Sequence, residues 1–176
     1  SANRGSSALN RQKNLLLEWA SVLLADGLIL ASSYLLRTYQ RRDVLGRAKQ
    51  LHLPYGLSLE DVPAVQRRES EGGPSRVLYM GSLYASYGIF DIVGAAAHVA
   101  ETEESVEFII LGDGPDRQQA IGRARSLGIE DHIRFEGFVD EEVLDEYLAS
   151  ADVFLAPMFD TVKDKARCPS KIPMYM

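Results

Sequence analysis

Residues 106–115 read VEFIILGDGP, and this stretch decides the fold. Its first six residues are mostly apolar, as expected for a strand that is buried on both faces. The turn from Gly112 to Pro115 ends the strand, and a helical stretch from about Asp116 to Leu127 follows, closed by Gly128. Strand, tight turn and helix in this order predict a parallel sheet with right-handed crossovers.

The same pattern is found on both sides of this stretch. Further apolar strands are predicted at 77–80, 132–135 and 152–156, with helices at about 89–100 and 141–149. Asp140 is in position to cap the second of these helices. We therefore predict an α/β fold: a Rossmann-like parallel sheet with helices on both faces.

The first part of the chain is less regular. Apolar side chains at Leu15, Trp19, Val22 and Leu23 recur at helical spacing, which predicts a buried amphipathic helix. Charged residues interrupt the apolar run from 15 to 36, so a membrane span is disfavoured, and residues 1–7 are predicted to be a disordered or artificially added tail.

Shorter elements follow that helix. A strand is predicted at 27–31, a helix capped by Ser32 or Ser33 runs to about Arg42, and 51–55 is expected to be extended. Polar residues, glycines and prolines from 59 to 75 indicate a linker.

Composition excludes several classes of protein. The 176 residues carry a net charge of −6, which argues against a nucleic-acid binder. Cys168 is the single cysteine, so no disulfide forms within the chain, and the three histidines have no metal-site spacing. We expect no metal site.

Three strand ends offer binding chemistry. Residues 81–88 contain two glycines before a helix, which is suitable for a phosphate cradle but is also typical of an ordinary turn. The turn 112–115 has the same two interpretations. Ser170 and Lys171 open a later helix, where Lys171 either neutralises a phosphate or is simply solvated.

Taken together, five motifs resemble one known family. In chain order they are Met80-Gly81-Ser82-Leu83 with Tyr87-Gly88, residues 109–115, residues 133–139, residues 147–157, and Pro169-Ser170-Lys171 with Tyr175-Met176. Each motif is weak alone, but the ordered series is similar to the C-terminal domain of retaining GT-B glycosyltransferases, often called family 4 or group 1. The resemblance covers residues 76–176.

This resemblance implies a domain arrangement. Residues 1–58 are expected to be the end of an N-terminal acceptor-binding domain, residues 59–75 a linker, and residues 76–176 a nucleotide-sugar-binding domain truncated at its C-terminus. The fold would be the incomplete C-terminal half of a GT-B fold.

The resemblance also implies a function. Similar enzymes transfer a sugar from a nucleoside diphosphate to an acceptor hydroxyl with retention, without a metal or other cofactor. Their acceptors are glycans, lipids or proteins, and we expect no nucleic-acid partner. A role in polysaccharide or glycolipid biosynthesis and a cytoplasmic location are expected, with peripheral membrane association possible for a full-length enzyme. The expected donor-binding residues are Gly81, Ser82, Tyr87, Gly88, Gly112, Gly114, Pro115, Phe138, Val139, Ser170 and Lys171; no catalytic residue is assigned.

Four positions depart from the family pattern. Basic residues are usual at the positions of Ser82 and Tyr87, and a pair of glutamates at those of Ala166 and Met174. Either the chain belongs to a divergent subfamily that uses Lys171 and backbone groups, or catalysis has been altered or lost. The alternative function is a non-catalytic nucleotide- or phosphosugar-binding module of the same fold. A dehydrogenase is disfavoured because the dinucleotide fingerprint is absent.

One prediction follows from the expected domain arrangement. The chain by itself should not turn over a nucleotide sugar, because it has only a small part of the acceptor side of the cleft. A radiolabelled sugar-transfer assay on the 176-residue chain checks this, with a longer parent protein as the positive control. Robust transfer by the chain alone would contradict the expected arrangement.

Overall fold

The computed structural model of this chain describes residues 2–42, 48–56, 73–103, 105–169 and 171–175. The chain divides into two compact units. One contains Ser1–Gly56 with Asp160–Pro169, and the other contains Leu57–Phe159 with Ser170–Met176. Most of the predicted linker lies outside the described residues, so the predicted domain boundaries stay predictions.

The elements alternate between helix and strand along the chain. In order they are α1 (Ala2–Leu24), β1 (Gly27–Leu30), α2 (Ser33–Arg42), β2 (Lys49–His52), β3 (Ser75–Met80), a 3₁₀ turn (Ala85–Tyr87), α3 (Ile89–Ala100), β4 (Val106–Leu111), α4 (Arg117–Ser126), β5 (Ile133–Gly137), α5 (Glu141–Ser150), β6 (Val153–Leu155), α6 (Val162–Ala166) and α7 (Ile172–Tyr175).

In the first unit, β1 and β2 form a parallel pair. The Ser32 hydroxyl accepts a hydrogen bond from the Leu35 amide at 3.2 Å, which confirms the predicted cap of α2. Glu18 of α1 accepts a hydrogen bond from the Tyr39 hydroxyl at 2.8 Å and also pairs with Arg42, so two side chains of α2 bind one carboxylate of α1.

Two predictions about α1 are wrong. The helix exists, but three of the four apolar side chains predicted to be buried are exposed: Val22 is buried, whereas Leu15, Trp19 and Leu23 are 41–44% exposed. The helical spacing of apolar residues showed which face of α1 is apolar. Burial of that face also requires another helix or strand to pack against it, and the spacing does not show this. Residues 1–7 were expected to be a disordered or artificially added tail, and the first alternative is wrong because α1 begins at Ala2.

The second unit contains a four-stranded parallel sheet in the order β5-β4-β3-β6. Numbered by their succession within this unit, the strands have the order 3-2-1-4, which is that of a Rossmann fold. The chain moves outward from β3 to β5 and then returns to the other side of β3. This change of direction creates a switch point, and open α/β sheets bind ligands beyond the carboxyl ends of the strands at such a point.

Both faces of this sheet are covered by helices, as predicted. Alternate residues of the central strands enter two cores: Phe108 and Ile110 pack with α3 and α4, whereas Ile109 and Leu111 pack with α5. All four are at most 4% exposed. The near-continuous apolar run in β4 therefore reflects burial on two faces.

Several predicted boundaries shift. The strand predicted at 132–135 is found at 133–137, and the one at 152–156 is found at 153–155. Helix α4 begins at Arg117 instead of Asp116. Asp140 precedes α5 without a side-chain capping bond, so only its position was predicted correctly. Residues 51–55 were expected to be extended, and the strand there is Lys49–His52.

Glycines allow the turns after β3 and β4 to touch. A Cβ atom on Gly112, whose φ is 115°, would lie 2.1 Å from the carbonyl oxygen of Gly81. A Cβ atom on Gly114 would lie 2.4 Å from the carbonyl oxygen of Leu83. The sequence left open whether these glycines approach a ligand or only form a turn. The structure shows that they approach the backbone of the neighbouring loop.

Among the described residues, no helix combines the length and the apolar character needed to cross a bilayer.

We predict that Gly112→Ala lowers the free energy of unfolding by more than about 3 kcal/mol, because it combines an unfavourable positive φ with overlap of a backbone oxygen. Gly122→Ala is the matched control, since a Cβ atom there meets nothing within 4 Å and alanine favours the helix by about 1 kcal/mol. Urea denaturation of both variants checks this. Equal effects would contradict the packing argument.

Candidate functional site

A cavity of about 230 Å³ lies at the carboxyl edge of the sheet in the second unit. It is lined by residues that follow the ends of β3, β4 and β5, together with one residue each from α5 and the segment before α7. They are Met80, Gly81, Ser82, Leu111, Gly112, Gly137, Phe138, Val139, Leu144 and Lys171. It thus lies at the carboxyl ends of β3, β4 and β5, the edge at which open α/β sheets bind ligands.

Six of the expected donor-binding residues line this cavity. They are Gly81, Ser82, Gly112, Phe138, Val139 and Lys171. Tyr87, Gly88, Gly114 and Pro115 are not among the lining residues, and Ser170 lies outside the described residues. Binding of a donor by any of these residues stays a prediction.

Four lining residues are not among the expected donor-binding residues. Met80 and Leu111 are the last residues of their strands, and Gly137 ends β5, so the strand-end rule could have found all three. Leu144 lies on α5 and reaches the cavity only because that helix packs on the sheet. Its apolar side chain carries no sequence signal for a binding site.

The loop predicted as a phosphate cradle has few free amides. At least six of the eight amide groups from residue 81 to residue 88 donate to protein acceptors, among them those of residues 81, 83, 84, 85, 87 and 88. The Ala85 amide, for example, donates to the Asp116 carboxylate at 2.6 Å. Anion-binding loops work by pointing unpaired N–H groups at the ligand. This loop is therefore mostly committed to holding its own shape.

The helix after the loop is also a weak anion site. Gly88 precedes α3 with a φ of 84°, and a Cβ atom there would lie 2.7 Å from Pro157 Cβ, so this glycine serves packing. Asp91 lies in the first turn of α3. Its negative charge opposes an anion at the helix N-terminus. Tyr87, where a basic residue was expected, packs edge-to-face on Tyr84 at 5.7 Å between ring centroids.

Lys171 carries the positive charge of the cavity. Among the described residues that line it, Lys171 is the only basic one. Its ammonium group donates a hydrogen bond to the Met80 carbonyl oxygen at 2.7 Å. Burial lowers the pKa of this lysine, because a poorly solvated site disfavours the charged form. The ammonium is thus a partly desolvated cation that an anionic ligand would stabilise further.

The positions expected to carry the glutamate pair hold no carboxylate. Met174 lies in α7 and is 37% exposed, and Ala166 ends α6. Neither side chain can accept hydrogen bonds from ribose hydroxyls as a carboxylate would, since alanine has no acceptor and the methionine sulfur is a weak one. In the described part of the chain, no group of three or more histidine, cysteine, aspartate or glutamate residues is placed to hold a metal ion.

The strand order defines a Rossmann-like unit with a cavity at the carboxyl edge of its sheet. The profile of the family described as "Glycosyl transferases group 1" matches residues 64–160. This match covers more than half of the chain, and the chain belongs to that family.

Curated relatives are similar over part of their length. A 2-deoxystreptamine N-acetyl-D-glucosaminyltransferase of Niallia circulans is 28% identical over 107 residues, which is 60% of this chain and 27% of the relative. A glycogen synthase of Mycobacterium tuberculosis is 28% identical over 152 residues, which is 86% of this chain and 36% of the relative. This chain thus spans about a third of the length of the curated relatives it matches.

The fold also matches solved structures. A sucrose-phosphate synthase of Thermosynechococcus elongatus superimposes with a TM-score of 0.63 at 23% identity, covering 83% of this chain and 38% of that protein. This likeness confirms the fold and nothing more, because the sequence identity is low. The resemblance inferred from the five motifs is thereby confirmed at the level of family and fold.

The lowered pKa of Lys171 predicts a change of stability with pH. Between the lowered folded value and the reference value of 10.5, the unfolded chain binds more protons than the folded chain, so stability rises with pH. Below that window both states are protonated and the cost of burying the charge is fully present. We expect the free energy of unfolding of the wild type, relative to Lys171→Met, to increase from pH 8 towards pH 10.5.

Urea denaturation of both proteins across this range checks the prediction. Tyr39 and Tyr147, whose pKa values are raised, lower the free energy of unfolding of both proteins as the pH rises. Subtracting the Lys171→Met curve from the wild-type curve removes this contribution. A difference that stays constant or falls with pH would show that burial of Lys171 does not depress its pKa.

Proposed function

We propose that this chain contributes the donor-binding part of a glycosyltransferase. In this proposal, the cavity at the carboxyl edge of the sheet binds a nucleoside-diphosphate sugar, and the sugar passes to an acceptor hydroxyl with retention and without a metal ion. The observation that carries the proposal is the position of Lys171. It brings a half-buried cation to a cavity at the carboxyl edge of a Rossmann-like sheet.

The chemistry of the cavity wall supports this assignment. Backbone groups of Gly81, Gly112 and Gly137 present no side chains, so a ligand can approach closely. Phe138 is 84% exposed and offers an aromatic face at the same cavity. A nucleoside diphosphate combines an aromatic base with an anionic group, and Phe138 and Lys171 together match these two features.

The acceptor side of the reaction is a further proposal. The relatives named above act on 2-deoxystreptamine or build glycogen, according to their names. We propose a glycan, lipid or protein acceptor for the whole protein, in polysaccharide or glycolipid biosynthesis. A cytoplasmic location, with peripheral association of the full-length enzyme with a membrane, is part of the same proposal.

A second candidate function is a nucleotide- or phosphosugar-binding module without transfer activity. Ser82, Tyr87 and Met174 favour this alternative, because basic or acidic residues were expected at their positions. The hydrogen-bonded amides of the loop favour it too, since they leave Lys171 with little help in neutralising a diphosphate.

Nucleotide binding tests the proposed donor site. Titration calorimetry of the chain with UDP, GDP, ADP and their hexose conjugates should reveal selective binding of one nucleotide. Lys171→Ala should weaken that binding at least about tenfold, equivalent to about 1.4 kcal/mol, because the cavity loses its cation. The exposed Lys49 supplies the matched control, and Lys49→Ala should bind like the wild type.

The outcomes separate the two candidates. Selective binding together with sugar transfer by a longer parent protein supports the enzyme, and binding without transfer supports the non-catalytic module. An absence of binding to all the nucleotides, in the chain and in the parent, would refute both. If Lys171→Ala and Lys49→Ala weaken nucleotide binding equally, Lys171 is not part of the nucleotide site.

A further inference from the structure

The turn after β3 is held by a side chain from far along the sequence. The Lys171 ammonium donates to the carbonyl oxygen of Met80, the last residue of β3, at 2.7 Å. These two residues are 91 positions apart. Met80 directly precedes Gly81 and Ser82, which form one wall of the cavity.

Three other hydrogen bonds hold the same turn. The Gly81 amide donates to the Leu111 carbonyl at 2.9 Å, and the Leu83 amide donates to the Asp113 carbonyl at 3.0 Å. The Tyr79 hydroxyl donates to the Ser82 carbonyl at 3.2 Å. The partners in these three bonds lie in β3, at the end of β4 or in the turn after β4. Lys171 adds an attachment to the segment that follows β6.

Tyr175 supports the position of Lys171. Its ring stacks on Phe154 with 4.7 Å between centroids and 15° between planes. Its hydroxyl lies 3.5 Å from the same Met80 carbonyl, which is a long and weak contact. Lys171 and Tyr175 are four residues apart, so both side chains face one way along the helical turn. The stack on β6 thus fixes the segment from which Lys171 reaches β3.

We infer that Lys171 is a positioning residue that fixes the Met80-Gly81-Ser82 turn of the cavity wall through its bond to the Met80 carbonyl. This role differs from the neutralisation of a phosphate that the sequence suggested. It deepens the proposed donor site, and only the ligand arm of its test rests on the proposed function. One of the three ammonium hydrogens is committed to Met80.

Removal of the ammonium group should first destabilise the Met80-Gly81-Ser82 turn. A charge-assisted hydrogen bond to a backbone carbonyl is stronger than a neutral one, and a carbonyl left without it loses a compensating partner. We expect the Met80-Gly81-Ser82 turn to open more often in Lys171→Met. That variant keeps most of the apolar stem and removes only the cation.

Hydrogen exchange on the unliganded chain tests the inference directly. In Lys171→Met, the amides of Gly81 and Leu83 should exchange at least tenfold faster than in the wild type, whereas the amide of Ile110 in the central strand should not change. Lys49→Met is the control for loss of a lysine elsewhere and should leave all three amides unchanged. Unchanged exchange at Gly81 and Leu83 in Lys171→Met would overturn the inference.

A measurement on the wild type covers the case in which Lys171→Met is unstable throughout. Nitrogen-15 spectra of the lysine ammonium groups should show slower hydrogen exchange at Lys171 than at the exposed Lys49, because its group is hydrogen-bonded and half-buried. Equal exchange rates at the two lysines would overturn the inference.

The ligand arm distinguishes positioning from neutralisation. Lys171→Met should weaken binding of a nucleoside if the lysine acts through the turn, and should weaken binding of its diphosphate more, because the cavity also loses its cation. A loss confined to the diphosphate would identify Lys171 as a phosphate ligand only and overturn the positioning role. If no nucleotide binds the wild type, the proposed function fails, and the exchange experiment still decides the role of Lys171.

Discussion

The distance between two backbone turns is the constraint on which the rest of the site depends. The carbonyl oxygen of Gly81 occupies the space where any other residue at position 112 would place its Cβ atom. Gly114 stands in the same relation to Leu83. Because these two turns touch, their amides and carbonyls bond to each other and form a wall of backbone. The cavity at the carboxyl edge of the sheet lies next to that wall.

A wall made of backbone has consequences for electrostatics. Most of the amides that would bind a phosphate in an open loop are occupied by bonds within the loop or to the segment that follows β4. The charge at the cavity therefore comes from a side chain, and Lys171 provides it from the segment before α7. Burial disfavours that charge, as its lowered pKa shows, and its bond to the Met80 carbonyl compensates in part. Shape and charge are thus supplied by different parts of the second unit.

Sequence reasoning worked best where burial dictates residue type. The strand 106–111 and the helix 89–100 were predicted with their observed bounds, because buried parallel strands and packed helices have clear apolar patterns. It failed for α1, where the pattern shows which face is apolar but not whether anything covers it. At the site, the rule that ligands bind at strand ends, together with the family resemblance, found six lining residues. Leu144 was missed because a leucine on a helix has no signature of a site.

The sequence by itself determined the family, the alternation of strands and helices and the approximate place of the cavity, since these follow from local apolar patterns and from motifs in a fixed order. Tertiary structure alone decided which groups are free to act there. It placed Gly112 against Gly81, used the amides of the 81–88 loop for internal bonds, and brought Lys171 to a carbonyl 91 residues away. Hydrogen-bond partners and burial depend on which distant segments meet, and no local pattern of residues contains that information.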